Sequence, residues 1–361
     1  MSVVQIKEQL TSLERVGLAL QSKETDRIPV TPLFCGASHR VLGITYDKWS
    51  TDAELATKSL LASQEIIGFD AFVTLVDLSV EAADFGQEII YPKNSTAYPN
   101  FNNQFIANAK EYSKIEYVNP RKTKRMKSVI DICAGLAKAK GNEVAILGFL
   151  YGPLGVLSQI RGHKELFKDL IRHPQEVLQA VEIITQVLIE YAKAQIEAGA
   201  HSVCIDPLYS SPTILSKKQW ETFEGPFIER IANAIREAGG IVTVHNCGNG
   251  VYFEEVIKWA NPVAISVAYP AYGCKTWEEH AEKWGKKVVT IGYSHPANTG
   301  LVMTREEILA DCRSQIELFR NNGAGFILST GCEFPPNGNL LSAVAMVDAG
   351  KLYGANGNRY E

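Results

Sequence analysis

The stretch HSVCIDPLYSSPTILSKKQWETFEGPFIERIANAIREAGGIVTVHNC, His201 to Cys247, decides the fold. It opens on one short apolar run, HSVCIDPL, and closes on another, GIVTVHNC. Each is continuously apolar, as strands buried on both faces are. Between them Ser216 reads as a helix N-cap, and Gly239 and Gly240 read as the stop. Strand, helix, strand is the βαβ unit of a parallel sheet.

The same unit recurs in both directions. DRIPVTPLF (Asp26–Phe34), FDAFVTLVD (Phe69–Asp77) and EVAILGFLYGP (Glu143–Pro153) precede it. PVAISVAYP (Pro262–Pro270), KVVTIGYS (Lys287–Ser294) and GFILSTGC (Gly325–Cys332) follow, making eight apolar runs in all. Helical segments lie between them. One, from His173, stops at Gly199; another opens on Thr304, pairs it with Glu307 in a capping box, and stops at Gly323. Eight strand–helix units predict an α/β fold, a (β/α)8 TIM barrel forming one domain over residues 1–361. An N-terminal helical extension precedes it, with Leu10, Leu13, Val16, Leu18 and Leu20 on a roughly helical period. Residues 80–142 form an insertion after strand two. Its EIIYPKNSTAYPNFNNQF reads as a loop or hairpin, and a helix carrying Ile130 and Leu136 follows.

Composition narrows the class. At 361 residues the chain can bury a large core without disulfides. The formal charge of −4 and the lack of a basic stretch beyond PRKTKRMK (Pro120–Lys127) argue against nucleic acid. No apolar run reaches the roughly 20 residues that span a bilayer. The N-terminus carries acids and bases throughout, unlike a signal peptide. Seven cysteines, Cys35, Cys133, Cys204, Cys247, Cys274, Cys312 and Cys332, follow no framework spacing, which predicts a reducing cytoplasm.

Barrel active sites lie at the C-terminal strand ends, and these ends are polar. Asp206 and Tyr209 follow strand four, His245 and Cys247 strand five, and Cys332 strand eight. Tyr151, Tyr269 and Tyr293 stand at the ends of strands three, six and seven, with His295 just beyond. Zinc takes nitrogen and thiolate ligands, with one position open when catalytic. His245 and Cys247, two apart before the bend that Gly248 and Gly250 permit, together with Cys332 from across the mouth, form such a set. Taken singly, each reads rather as a core thiol or a hydrogen-bonded strand-end histidine; the three together favour the metal. Cys204 and Cys312 read as core, and Cys35 is left between core and pocket. Asp206 is a candidate to orient a ligand, act as a general acid or cap a turn. His295 is a candidate to donate to substrate or cap a turn. The three tyrosines are candidate walls of the mouth.

The chain resembles a known family in DRIPVTP, GFDAF, EAADFG, GPLGVLSQIRG and DPLYSSPTILSKKQWETFEGPFIERI. These look like the uroporphyrinogen decarboxylase superfamily, itself a (β/α)8 barrel. In the decarboxylase branch, paired arginines after strand one hold the substrate's carboxylates. Here FCGASHRVLG offers only Arg40. The other branch comprises corrinoid-dependent methyltransferases, similar to the methylcobamide:coenzyme M methyltransferases. Their zinc motif, His-x-Cys with a distant Gly-Cys, carries over to His245, Cys247 and Cys332. TGCEFPPNGN departs from the usual continuation at Asn337, Gly338 and Asn339.

The resemblance implies a zinc-dependent transfer of a methyl group between a methylcobamide (cobalamin), presented by a partner corrinoid-binding protein, and a thiol or similar acceptor activated as thiolate. Asp206, Tyr209 and His295 would position the acceptor or act on the leaving corrinoid, and Tyr151, Tyr269 and Tyr293 would face the cofactor. The alternatives are demethylation of a methoxylated or methylated donor onto cob(I)alamin, a decarboxylase, and a closed structural zinc site with Cys35 or His295 as fourth ligand. A homodimer is left open.

Overall fold

The computed structural model describes residues 8–320 and 323–355. Its centre is a curled sheet of seven parallel strands in the order β1-β4-β5-β6-β7-β8-β9. These are β1 (Ala71–Val73), β4 (Ala145–Tyr151), β5 (Ser202–Asp206), β6 (Ile241–Asn246), β7 (Ala264–Val267), β8 (Val289–Ile291) and β9 (Phe326–Ile327). Each falls inside one of the apolar runs and pairs with the next in the chain, as repeated βαβ units require.

The remaining run, DRIPVTPLF, forms no regular strand but touches both edges of the sheet. Leu328 N–H donates to Pro29 O (2.9 Å) and Thr31 N–H to Leu328 O (2.8 Å). On the other side Asp70 N–H donates to Val30 O (2.8 Å). Pro29 and Pro32 carry no amide hydrogen, so the ladder cannot extend past this short link.

Helix α1 (Ser12–Leu20) opens with the Thr11–Glu14 capping box. It packs Val16 against Ala71 and Ala145, at the end of the sheet where β1 and β4 begin. Asp70 ties α1 to the proline link: its carboxylate accepts from Arg15 and Arg27, both buried, and from Val30 N–H. Met1–Lys7, the first part of the expected extension, and Asn321–Asn322, before Gly323, lie outside the described residues.

Between β1 and β4 the short antiparallel pair β2 (Ile89–Ile90) and β3 (Tyr98–Pro99) forms a hairpin. The helix Arg125–Lys140 that follows belongs to the outer ring: Val129, Ile132 and Leu136 join the main core. Asp84 caps this helix, accepting from the amides of Arg125 (3.0 Å) and Met126 (2.7 Å).

The helix expected from Ser216 to Gly239 is two helices, Lys217–Phe223 and Gly225–Glu237. Pro226 cannot donate to the preceding turn. Gly225 lies where an added Cβ would stand 2.8 Å from the Trp259 indole nitrogen. The break turns Glu224 inward, where its carboxylate accepts from Trp220 Nε1 (2.8 Å) and Leu154 N–H (3.2 Å). Among the described residues no helix is long and apolar enough to cross a membrane.

Candidate metal centre

The end of β6 with the turn after it, and the segment beyond β9, bring His245, Cys247 and Cys332 together. β6 ends at Asn246, whose side-chain amide donates to Pro207 O (2.9 Å), Leu208 O (3.1 Å) and Ser210 Oγ (2.8 Å), while its oxygen accepts from Gly248 N–H (2.7 Å). That bracing turns the chain immediately after His245 and Cys247, and Gly250 takes the positive φ (+70°) that completes the bend. Beyond β9 the chain stays extended: Thr330 bridges Ser294, and Gly331 N–H donates to Ser294 O (2.8 Å). Gly331 presses on the backbone after β7, where a Cβ would stand 2.7 Å from Ala268 Cα. This close approach delivers Cys332 to the mouth.

The donor atoms of His245, Cys247 and Cys332 all lie within 4.8 Å of one another. His245 is buried and its Nδ1 pairs with Ser266 Oγ (3.0 Å), which leaves Nε2 for the cluster. Ser266 is the register partner of His245 on β7, so the strand pairing itself sets this bond. Cys247 and Cys332 are partly exposed. The hydrogen bond with Cys247, and then that with His245, holds the Cys332 thiol below the usual thiol range. Cys247 is pushed up in the same exchange, because it keeps the shared proton. Burial disfavours a charged His245, but its bond to Cys332 and the nearby Asp206 carboxyl outweigh burial and raise its pKa. The set thus gathers negative charge on sulfur beside imidazole, the donor chemistry that zinc selects, with three ligands and room for a fourth.

Around the cluster stand three acids. Asp206 is buried, its Oδ1 has no hydrogen-bond partner, and burial pushes its pKa up to about 7. Glu333, next to Cys332, accepts from Gly36 N–H (3.0 Å), and burial pushes it up to about 8. Asp77 is paired with Arg125 behind the wall. All three acids and all three ligands line one cavity of about 140 Å³.

The other expected site residues are placed elsewhere. Tyr209 is buried, and its hydroxyl pairs with His163 Nδ1 (2.7 Å). Tyr151 is fully buried, its ring against Gly155. Tyr293 stacks on Trp277 with ring centroids 3.5 Å apart. Tyr269 is on the surface, and His295 is exposed, its Nδ1 accepting from Asn298 N–H (3.3 Å) across a turn. None of these five lines the cavity, and neither does the buried Cys35, whereas Cys204 does. A residue's place at a strand end gives its level along the sheet, not the direction its side chain takes. Three neighbours went unassigned from sequence: Ser266, Glu333 and Asn246. The register of β6 against β7 is the signal that finds Ser266, and adjacency to Cys332 finds Glu333.

Ser266→Ala removes the partner that orients the His245 ring. Zinc affinity is expected to fall roughly 10- to 100-fold with the fold intact, as measured by chelator competition. Unchanged affinity would mean that the ring is held by packing alone.

Known proteins resemble this chain over nearly its whole length. The family model "Uroporphyrinogen decarboxylase (URO-D)" matches residues 11–353. The methylcobamide:CoM methyltransferase MtbA of Methanosarcina mazei is 25% identical over 349 residues, covering 95% of this chain and 98% of that protein. A uroporphyrinogen decarboxylase of Anaeromyxobacter sp. is 21% identical, covering 82% of this chain and 84% of its own length. Among solved structures, a methyltransferase from Methanosarcina mazei superposes with a TM-score of 0.81 at 22% identity, covering 95% of this chain and 99% of that one.

Proposed function

This chain belongs to the uroporphyrinogen decarboxylase family, and from that membership we propose that it is a corrinoid-dependent methyltransferase with zinc held by His245, Cys247 and Cys332. The observation that carries the reading is the convergence of one imidazole and two thiols, from the end of β6 and the segment after β9, within 4.8 Å. The relative named a methylcobamide:CoM methyltransferase, matched nearly end to end, supports the same branch. The cavity lining supports it over decarboxylation of a multiply carboxylated porphyrinogen. It contains no arginine or lysine among the described residues. Arg40 is exposed and bonds Gly338 O, and Arg161 is spent on Asp169 (2.8 Å) and Ala107 O (3.1 Å).

Bound zinc would supply Lewis acidity that lowers the pKa of a thiol substrate. The protein's own groups do the rest. Ser266 fixes the His245 ring, and Asn246 fixes the loop that carries Cys247. Asp206 Oδ1, buried and without a partner, stands ready to take the thiol proton and pass it to water. The substrate sulfur then uses one electron pair to form the S–CH₃ bond. A methylcobamide presented by a partner protein would be the methyl donor, with the Co–C electron pair leaving on its cobalt. The corrinoid face would cover the mouth and exclude water from this step.

The test uses the purified protein, methylcobalamin and a panel of thiols, followed by the cobalamin spectrum, with methylated donors and cob(I)alamin run in the reverse direction. Conversion in either direction, proportional to bound zinc, is the expected result. No methyl transfer in either direction would overturn the reading.

A further inference from the structure

TIM-barrel interiors are normally filled by layers of interdigitating side chains. Here the centre is not filled. The cavity that holds the metal ligands continues down the sheet, past Val73, Leu147 and Phe149, to Val16 and Leu20 of α1. Leu147 pairs with Ser202, four residues before Asp206 on β5, so the shaft descends roughly 13 Å along the strands below the acid. Small side chains leave it open: Ala71, Thr31, Cys204 and Ser266 stand where larger residues would close it. The whole cavity, its metal-ligand end included, measures about 140 Å³, close to the volume at which an apolar protein cavity takes up benzene, so the shaft admits at most a compact group.

Its chemistry is one-sided. The lower walls are mostly aliphatic and aromatic, with the neutral hydroxyls of Thr31 and Thr243 among them, and the ionisable side chains on the lining besides the metal ligands and Cys204 are the acids Asp77, Asp206 and Glu333. No guanidinium is on the lining: Arg125 is committed to Asp77, and Arg15 and Arg27, by the floor of the shaft, are committed to Asp26 and Asp70. An anionic tail entering this shaft would lose its hydration and meet no cation. Thr31 Oγ1, buried on the lining without a hydrogen-bond partner, can satisfy at most a neutral oxygen.

We propose that the non-reacting part of the substrate is a compact, uncharged, apolar group no larger than benzene. It would be seated in the barrel shaft below the metal ligands, with a sulfonate or carboxylate on that part excluded. This rests on the methyltransferase reading and names the substrate class of the same site. It departs from the sulfonated thiol implied by the name of the relative above.

The test compares benzyl mercaptan and 1-butanethiol with 2-mercaptoethanesulfonate and 3-mercaptopropionate as acceptors from methylcobalamin. Calorimetric binding of benzyl methyl sulfide and 2-(methylthio)ethanesulfonate to the zinc-loaded protein gives a second readout. The uncharged thiols are expected to exceed the anionic ones by at least about 100-fold in kcat/KM, and the uncharged sulfide alone to bind. Equal or better use of the anionic thiols overturns the substrate class and leaves the methyltransferase reading standing. Binding of the uncharged sulfide with no methyl transfer in either direction overturns the methyltransferase reading and supports the ligand class of the shaft. Neither binding nor transfer overturns both.

Discussion

Alanine at any one of His245, Cys247 or Cys332 is expected to strip zinc from the protein and to lower methyl transfer on the order of 1,000-fold or more. With three protein ligands, losing one leaves two, too few to hold the ion against buffer. The charge change differs among the three. Removing Cys332 takes away the thiol that is the more readily ionised of the pair and leaves His245 without its hydrogen-bonded partner. Removing Cys247 deletes the group that lowers Cys332. Because Cys247 and Cys332 sit in loops at the mouth and are partly exposed, their substitution should leave the melting temperature of the metal-free protein nearly unchanged. Zinc content by elemental analysis and cobalamin spectroscopy read both effects. A triple variant that is metal-free and fully active would end the proposal.

Asp70→Ala is expected to cost about 3–5 kcal/mol of stability. The Asp70 carboxylate is fully buried and accepts from five donors: Ser12 Oγ (2.8 Å), Arg15 Nη1 (2.8 Å), Arg27 Nη1 (2.7 Å), Arg27 Nη2 (3.1 Å) and Val30 N–H (2.8 Å). Its loss leaves two buried guanidiniums short of negative charge, with only Asp26 and Glu8 remaining to them. It also frees the proline link that joins the two edges of the sheet, and with it α1, the floor of the shaft. Asp70→Asn keeps an acceptor but loses the charge, and should cost less. Urea unfolding measures both. A loss below about 1 kcal/mol for the alanine variant would show that Asp26 and Glu8 suffice.

Much of the architecture was legible because buried parallel strands have a strong signature. Seven of the apolar runs contain the seven strands of the sheet, since a strand covered on both faces must be apolar throughout. The link at Pro29–Thr31 was legible as apolar but not as irregular; its prolines are the reason. Helix caps at Ser216 and Thr304 were legible because their partners, Gln219 and Glu307, lie three residues away in the chain. The break at Glu224 was missed. Gly225 and Pro226 announce it, but the apolar period runs on through them.

His245, Cys247 and Cys332 could be grouped from sequence because strand ends of a parallel barrel face one mouth, whatever the details of packing. What belongs to the chain alone is therefore the order of strands, the helix starts and the grouping of His245, Cys247 and Cys332 at one mouth, all set by local patterning and connection direction. Tertiary structure alone decided which strand-end side chains turn inward. Tyr293 found Trp277, Tyr209 found His163 and His295 capped a turn, because each met a nearer partner. It alone also decided that the barrel centre stays open, since a void is a property of side chains from many strands at one level. No single stretch of sequence carries that information.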